Sequence, residues 1–129
     1  MPESPPSPRP GDLLPLPSHV FLILLSLLEH ERHGYALLKD VERRTDGETR
    51  LGTSTLYAAL RRMLAQGLIA EVPAPADADS DDSRRRYYRA TAFGTRVAAA
   101  EAQRVRRLGE LIAGVPALAA GTRRRLARR

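Results

Sequence analysis

The chain has 129 residues, which is enough for one small domain with short tails. It contains no cysteine, which excludes disulfide frameworks, thiolate zinc sites and cysteine nucleophiles. With 21 basic and 15 acidic residues the net charge is +6, which favours a polyanionic partner such as nucleic acid.

The excess positive charge lies towards the C-terminus. Residues 91–129 hold nine basic and two acidic side chains, whereas residues 1–90 hold 12 basic and 13 acidic ones. We predict that residues 115–129 form a flexible, solvated tail, because a terminal run of like charges is seldom folded. The basic residues of this tail are Arg123, Arg124, Arg125, Arg128 and Arg129. Support for nucleic-acid recognition must therefore come from the middle of the chain.

The N-terminal segment is rich in proline. Seven of the ten prolines lie within residues 1–17, so the sequence predicts a disordered tail there. The run from Val20 to Leu28 is nine residues long, which is far short of the ~20 apolar residues that span a bilayer. A polar cluster follows it where a signal-peptide cleavage site would lie. We therefore expect a soluble cytoplasmic protein that does not enter a membrane.

Two helices are predicted next. Residues 19–30 are apolar on nearly every side, which indicates a buried helix, and Ser18 can cap it. The second helix runs from about residue 34 to residue 45. His33 helps to cap it, and the pair Asp46-Gly47 supplies a left-handed stop.

The remaining elements suggest a fold. A third helix over residues 53–66 is followed by two strand-like stretches, 68–72 and 85–90, and by a long helix capped by Thr91. The order α-α-α-β-β-α, mainly helical with one small β-hairpin, is that of a winged helix-turn-helix. The predicted divisions are a tail at 1–17, a DNA-binding domain at 18–91, a dimerisation helix at 92–114 and a second tail at 115–129.

The third helix has two different faces when it is plotted at 100° per residue. Its apolar residues fall on one side, and hydroxyls, a phenol, two guanidiniums and small side chains fall on the other. Small residues allow a helix to approach a groove closely, and arginine pairs with guanine or with phosphate. An ordinary amphipathic surface helix is the alternative. The candidate DNA contacts on this helix are Ser54, Thr55, Tyr57, Ala58, Arg61 and Arg62.

Basic residues also mark the hairpin. Arg84, Arg85, Arg86 and Arg89 are predicted on its return strand, and the first three are candidate DNA contacts. The hairpin tip carries four carboxylates, which phosphates would repel, so we expect the tip to stand away from the DNA backbone. These carboxylates are Asp77, Asp79, Asp81 and Asp82.

The tyrosines are assigned by their positions. Tyr57 faces away from the leucines of its helix, which favours a base or phosphate contact over a packing role. Tyr35 is predicted in the core with Leu38. Tyr87 and Tyr88 are adjacent on a strand, so one should pack inward and the other should face out.

The last helix carries an apolar stripe at spacings of four, four, three and four, which is close to a coiled-coil seam. A long helix that projects from so small a domain needs a partner to cover it. The alternative for part of the stripe is that it folds back on Phe21 and Leu25, and both arrangements are compatible with one dimer. We therefore predict a homodimer. The predicted seam comprises Val97, Glu101, Val105, Leu108 and Ile112.

Catalytic and metal sites have little support. The sequence has no glycine-rich phosphate loop and no nucleophile in register with a histidine, so we predict no enzyme and no cofactor. His30 and His33 straddle a helix break without further histidine or cysteine nearby, so we predict no metal site. A protein-docking module without operator recognition is the main alternative function. Binding to anionic membranes through the arginine-rich end is a weaker one.

Five short motifs together resemble the PadR family of transcriptional regulators. They read HGYAL at 33–37, TLY at 55–57, ALRRM at 59–63, GLI at 67–69 and RYYRAT at 86–91. Ala58 stands where the family commonly has proline. The resemblance implies a short-form, homodimeric repressor that binds a palindrome-like operator in double-stranded DNA. It also implies a small aromatic or drug-like inducer bound between the C-terminal helices.

Overall fold

The computed structural model describes residues 8–118, so the arginine run at 123–129 and the first seven residues lie outside the described part. The described chain is mainly helical, with one small sheet. Its elements are α1 (Ser18–Glu29), β1 (Arg32–His33), α2 (Gly34–Arg44), α3 (Thr53–Ala65), β2 (Ile69–Val72), β3 (Tyr87–Ala90) and α4 (Ala92–Ala113), with short 3-10 helices at Pro10–Leu13 and Asp82–Arg84.

The fold is the predicted winged helix-turn-helix, but its sheet has one more strand than the hairpin. β3 lies in the middle and pairs antiparallel with β2 on one side and β1 on the other. Ile69 is opposite Ala90, and His33 is opposite Tyr87. A two-residue strand such as β1 has too little alternation to be recognised in a sequence.

One hydrophobic core joins the helices and the sheet. It is aliphatic, because the chain has no tryptophan and only two phenylalanines. Each helix contributes residues that share one face, and α3 buries the apolar side that the sequence predicts. The fully buried aliphatic side chains are Ile23, Leu24, Leu37, Val41, Leu56, Leu60, Met63, Leu68 and Val97.

Local capping sets the limits of α2. The backbone N–H of Ala36 donates a hydrogen bond to Nδ1 of His33 at 3.1 Å, which confirms the predicted cap. At the other end Asp46 and Gly47 adopt positive φ angles of 51° and 81°, as predicted for the stop. Ser18 does not cap α1, because the helix already begins there and Pro17 occupies the capping position.

A buried carboxylate ties α2 to its neighbours. Asp40 is paired with Arg43 and Arg44 of its own helix and lies 3.6 Å from Arg32, which precedes α2. Burial by itself would raise the pKa of Asp40, but the adjacent Ser26 hydroxyl, the hydrogen bonds from Arg43 and Arg44 and the charge of Arg32 hold it well below its ordinary value. Arg44 also contacts Glu29 at 2.8 Å, so the same cluster links the ends of α1 and α2.

The start of α4 is fixed to the turn before β2. Thr91 accepts a hydrogen bond from the N–H of Gly94 at 3.0 Å, as predicted for a cap, and donates one to the carbonyl of Gly67 at 2.6 Å. Gly94 has no room for a side chain, because a Cβ atom there would overlap the carbonyl oxygen of Leu68. The direction in which α4 leaves the domain is therefore determined at its first turn.

Part of the proline-rich N-terminal segment is ordered, contrary to the disorder predicted for residues 1–17. Residues 10–13 form a 3-10 helix that packs against α4, and Leu16 belongs to the core. The N–H of Leu16 donates a hydrogen bond to the buried carboxylate of Glu101. Proline does not prevent this arrangement, because a short 3-10 turn followed by extended chain suits its fixed φ angle.

Candidate nucleic-acid interface

The outward side of α3 is polar and free of negative charge. The helix contains no acidic residue, and its buried residues occupy the opposite side. All six α3 residues that the sequence proposes as DNA contacts are exposed: Ser54, Thr55, Tyr57, Ala58, Arg61 and Arg62.

A cavity lies on each side of α3. The first has a volume of about 360 Å³ and lies between α3, the start of α2 and the segment before β3, with Arg61 in its wall. The second has a volume of about 310 Å³ and lies between α3 and the start of α1. Thr55, Ala58 and Arg62 line the second cavity together with His19, which sequence reasoning did not select.

Tyr57 has a packing role that sequence reasoning weighed as the alternative. It is 41% exposed, and its phenol lies against the first residue of α2. A Cβ atom added to Gly34 would lie 2.6 Å from the phenol oxygen of Tyr57. The glycine of the HGYAL motif therefore leaves room for the Tyr57 phenol against the first turn of α2, and a side chain there would have to displace that phenol.

The sequence predicts Arg84, Arg85 and Arg86 on the return strand of the hairpin. This prediction is wrong, because β3 begins only at Tyr87. Arg84 ends a 3-10 helix, and the N–H of Arg85 donates a hydrogen bond to the carbonyl of Asp82 at 3.1 Å. These local hydrogen bonds hold the segment in a turn that cannot also join the ladder. Arg84, Arg85 and Arg86 are nevertheless all exposed, and so is Arg89 on β3.

Tyr35 is 53% exposed, so its predicted place in the core is wrong. The buried stripe of α2 runs through Gly34, Leu37 and Val41, which leaves the neighbouring Tyr35 on the outside. Its ring lies between two cations: the guanidinium of Arg85 is 5.3 Å from the ring centroid, and the ammonium of Lys39 is 5.5 Å from it. Tyr35 therefore connects α2 to the basic segment.

Tyr87 and Tyr88 are both buried, with 6% and 4% exposure, whereas the sequence predicts that one faces out. They do point to opposite sides of β3. Tyr88 joins the core, and Tyr87 packs edge-on against His33 at 5.3 Å between ring centroids. The outer side is covered because the loop returns over it, bringing Asp82 within 3.5 Å of Nε2 of His33. Asp82 therefore packs against His33 at the end of the loop that precedes β3.

Burial lowers the pKa of His33 below its ordinary value of 6.5, and the nearby charge of Arg85 lowers it further, whereas Asp82 acts in the opposite direction. The same burial raises the pKa of Tyr87. The imidazole is therefore neutral near pH 7, as the hydrogen bond from Ala36 to its Nδ1 requires.

Comparison with known proteins identifies this arrangement. The family model described as "Transcriptional regulator PadR-like family" matches residues 23–100. The chain belongs to this family. Residues 23–100 run from α1 to the first part of α4, so all five motifs that suggest the resemblance lie within the match.

Solved structures of PadR-like and other regulators share the fold. A PadR family transcription regulator from Clostridium difficile R20291 is 26% identical, with a TM-score of 0.59 over 74% of this chain and 95% of that one. A transcriptional regulator from Clostridium thermocellum is also 26% identical, with a TM-score of 0.62 over 73% and 85% of the two chains. The PcaV regulator from Streptomyces coelicolor is 24% identical, with a TM-score of 0.62 over 87% and 74%.

A sequence relative from Lysinibacillus sphaericus is uncharacterized. It is 32% identical over 73 residues, which are 57% of this chain and 64% of the relative. The chain therefore spans less than two thirds of that protein. The two Clostridium structures are both described as transcriptional regulators.

The predicted dimer seam of this PadR-like chain is buried in the first half of α4 and exposed in the second half. Val97 and Glu101 are buried within the described chain, which is the arrangement that the fold-back alternative predicts for part of the stripe. Val105, Leu108 and Ile112 are 44%, 45% and 53% exposed. Within residues 8–118 no helix is long and apolar enough to cross a membrane, and no group of three potential metal ligands occurs.

Proposed function

We propose that this PadR-like chain is a homodimeric regulator that recognises a palindrome-like operator in double-stranded DNA. The observation that supports this most directly is the outward side of α3, where Tyr57 and Arg61 are exposed on a helix without acidic residues. Such a surface fits the major groove, because phosphates surround it and guanidiniums can bind guanine there.

In this proposal the arginines have different tasks. Arg61 lies near the middle of the outward side of α3 and contacts a base edge. Arg62, at the margin of that side, and Arg86, in the segment before β3, contact phosphates together with Arg84 and Arg85. Phosphate contacts set position and affinity, whereas base contacts set the sequence preference.

Pairing of two chains would present two copies of α3 to one side of the duplex. Helix-turn-helix dimers place their reading helices about 34 Å apart, in successive turns of the major groove. The exposed apolar part of α4 supports this arrangement, because Val105, Leu108, Leu111 and Ile112 have no cover within the described protomer. Repression in the bacterial cytoplasm, and release by a small aromatic or drug-like inducer between the paired helices, complete the proposal.

The test begins with selection of bound fragments from the source genome, which yields an operator duplex. Fluorescence anisotropy then compares that operator with a random duplex across a salt series. We expect Arg61→Ala to weaken operator binding by about 1–3 kcal/mol and to change random binding little. Arg86→Ala should weaken both and reduce the salt slope by about one unit.

The matched control is Arg106→Ala, which removes an exposed arginine from α4. It should leave the ratio of operator to random affinity unchanged. If Arg61→Ala also leaves that ratio unchanged, α3 is not the reading helix, and the protein-docking alternative becomes the better account. Binding to a protein partner through an apolar surface would be recognised because its affinity hardly changes with the salt concentration. Candidate inducers are tested by whether they release the labelled operator.

A further inference from the structure

The cavity of about 360 Å³ beside α3 has an unusual polar lining. Every polar side chain in its wall is either a guanidinium or a phenol, and no carboxylate, amide or imidazole contributes. The remaining wall is formed by Gly34, Leu60 and Leu64. Such a wall offers hydrogen-bond donors in excess of acceptors. The polar residues are Tyr35, Tyr57, Arg61, Arg85, Arg86 and Tyr88.

Tyr88 is the most informative of these residues. The residue is 4% exposed, and no hydrogen bond to its phenol oxygen occurs among residues 8–118. This oxygen is not closed off in the core, because Ser26 Oγ is the buried side-chain oxygen without a partner in that part of the chain. A phenol hydroxyl that reaches the surface of the cavity can donate a hydrogen bond to an acceptor bound there. Burial raises the pKa of Tyr88 and the nearby charge of Glu71 raises it further, whereas Arg86 acts in the opposite direction, so the phenol stays protonated and can donate a hydrogen bond. The structure therefore holds a donor in the wall of this cavity without an acceptor for it.

The arginines leave the cavity positively charged. Arg61 has no ion pair within the described part of the chain. Arg85 and Arg86 each contact one carboxylate, at 3.4 Å and 3.6 Å, but neither Asp82 nor Glu71 lines the cavity. The first residues of α2 also belong to the wall, so the positive end of an 11-residue helix faces the same space.

We propose that this cavity is an oxyanion site that holds one phosphate group of the DNA backbone, with Tyr88, Arg85 and Arg86 as donors, while Arg61 at its edge remains available for a base. The proposal rests on the proposed DNA-binding function and gives Tyr88 a role in it. A phosphate fits better than a base edge, because phosphate oxygens only accept hydrogen bonds, whereas base edges combine donors and acceptors. Inorganic phosphate has the same chemistry and can therefore serve as a probe.

The test compares two neighbouring tyrosines. Tyr88→Phe removes the unpaired phenol from the cavity wall, and Tyr87→Phe removes an equally buried phenol that does not line it. In the first arm, inorganic phosphate is titrated against the protein alone at constant ionic strength, with acetate as the reference anion and the melting temperature as the signal. We expect the apparent phosphate affinity to fall at least about fivefold for Tyr88→Phe and less than about twofold for Tyr87→Phe.

In the second arm, anisotropy measures binding to a labelled random duplex, because backbone contacts do not depend on sequence. Tyr88→Phe should weaken this binding about tenfold and Tyr87→Phe should not. Phosphate should also displace the duplex from the wild type more effectively than acetate at equal ionic strength. These results together support the proposal.

Other outcomes overturn it in distinguishable ways. A phosphate response without a DNA response would show that the site takes a free phosphorylated ligand and not the backbone. No difference between the two tyrosine variants in either arm would remove the site altogether. If Tyr88→Phe has no effect while Arg61→Ala still lowers operator preference, the oxyanion site fails and the proposed function stands. If the wild type binds no duplex, the proposed function itself fails.

Discussion

The two halves of α4 have similar apolar patterns but different surroundings. In the first half Val97 and Ala98 belong to the core of the protomer, and Glu101 is buried beneath the N-terminal segment. In the second half the apolar stripe continues through Val105 and Leu108 without cover in the described chain. A regular stripe therefore shows that a helix face will be buried, but it does not show which chain will bury it.

The largest expected loss of folding stability comes from a substitution in the first half of α4. Val97→Asp places a carboxylate in the fully buried core and should lower the free energy of unfolding by about 3–5 kcal/mol. The measurement is urea unfolding at two protein concentrations, and the loss should be the same at both. Ala99→Asp, at an exposed position of the same helix, is the control. A loss that shrinks at high concentration would place Val97 in the interface after all.

Substitutions in the second half of α4 should weaken the association of two chains into a dimer. Leu108→Asp, and separately Val105→Asp, should weaken pairing by about 2–4 kcal/mol each if the positions become buried in a dimer. Sedimentation should give twice the chain mass of 14.2 kDa for the wild type and a shift towards the single mass for the variants. Gln103→Asp adds the same charge to a different side of α4 and should remain dimeric. A monomeric wild type at micromolar concentration would contradict the seam.

The sequence could predict the features that depend only on residues close to one another in the chain. The caps His33 and Thr91 and the stop at Gly47 were predictable, because their chemistry acts over three or four residues. The polar side of α3 was predictable from helix periodicity alone.

Features that depend on distant chain were not predictable. The carboxylate of Glu101 is buried because Leu16, 85 residues away, donates to it, and nothing near either residue signals the contact. Tyr87 is covered because a long loop returns to its side of the sheet. Tyr35 is exposed because the buried stripe of α2 starts one residue earlier, at Gly34, which lacks a side chain and is easily overlooked as its first member.

A smaller effect tests how the first half of α4 is covered. Glu101→Gln removes the charge that strengthens hydrogen bonds from Leu16 and Arg104, and should lower the free energy of unfolding by about 1–3 kcal/mol. Hydrogen exchange at the amide of Leu16 should become faster at the same time. Glu110→Gln, at an exposed position of α4, is the matched control. Unchanged exchange at Leu16 would mean that the carboxylate does not hold the N-terminal segment.

The smallest expected effect separates stability within one chain from stability gained by pairing. His33 caps α2 through a neutral Nδ1, and burial together with Arg85 lowers the pKa of His33 below 6.5. The unfolded chain therefore takes up this proton at a higher pH than the folded one, so stability from the cap is present above about pH 6.5 and is lost as the pH falls below it. His33→Asn retains a capping side chain that does not titrate. Between about pH 7.5 and pH 5 the wild type should therefore lose about 1 kcal/mol more of its free energy of unfolding than the variant, as measured by urea unfolding.

This difference should be equal at low and high protein concentration, because the cap lies within the protomer, and His30→Asn should not reproduce it. Equal pH dependence in the wild type and His33→Asn would show that the cap does not control acid sensitivity.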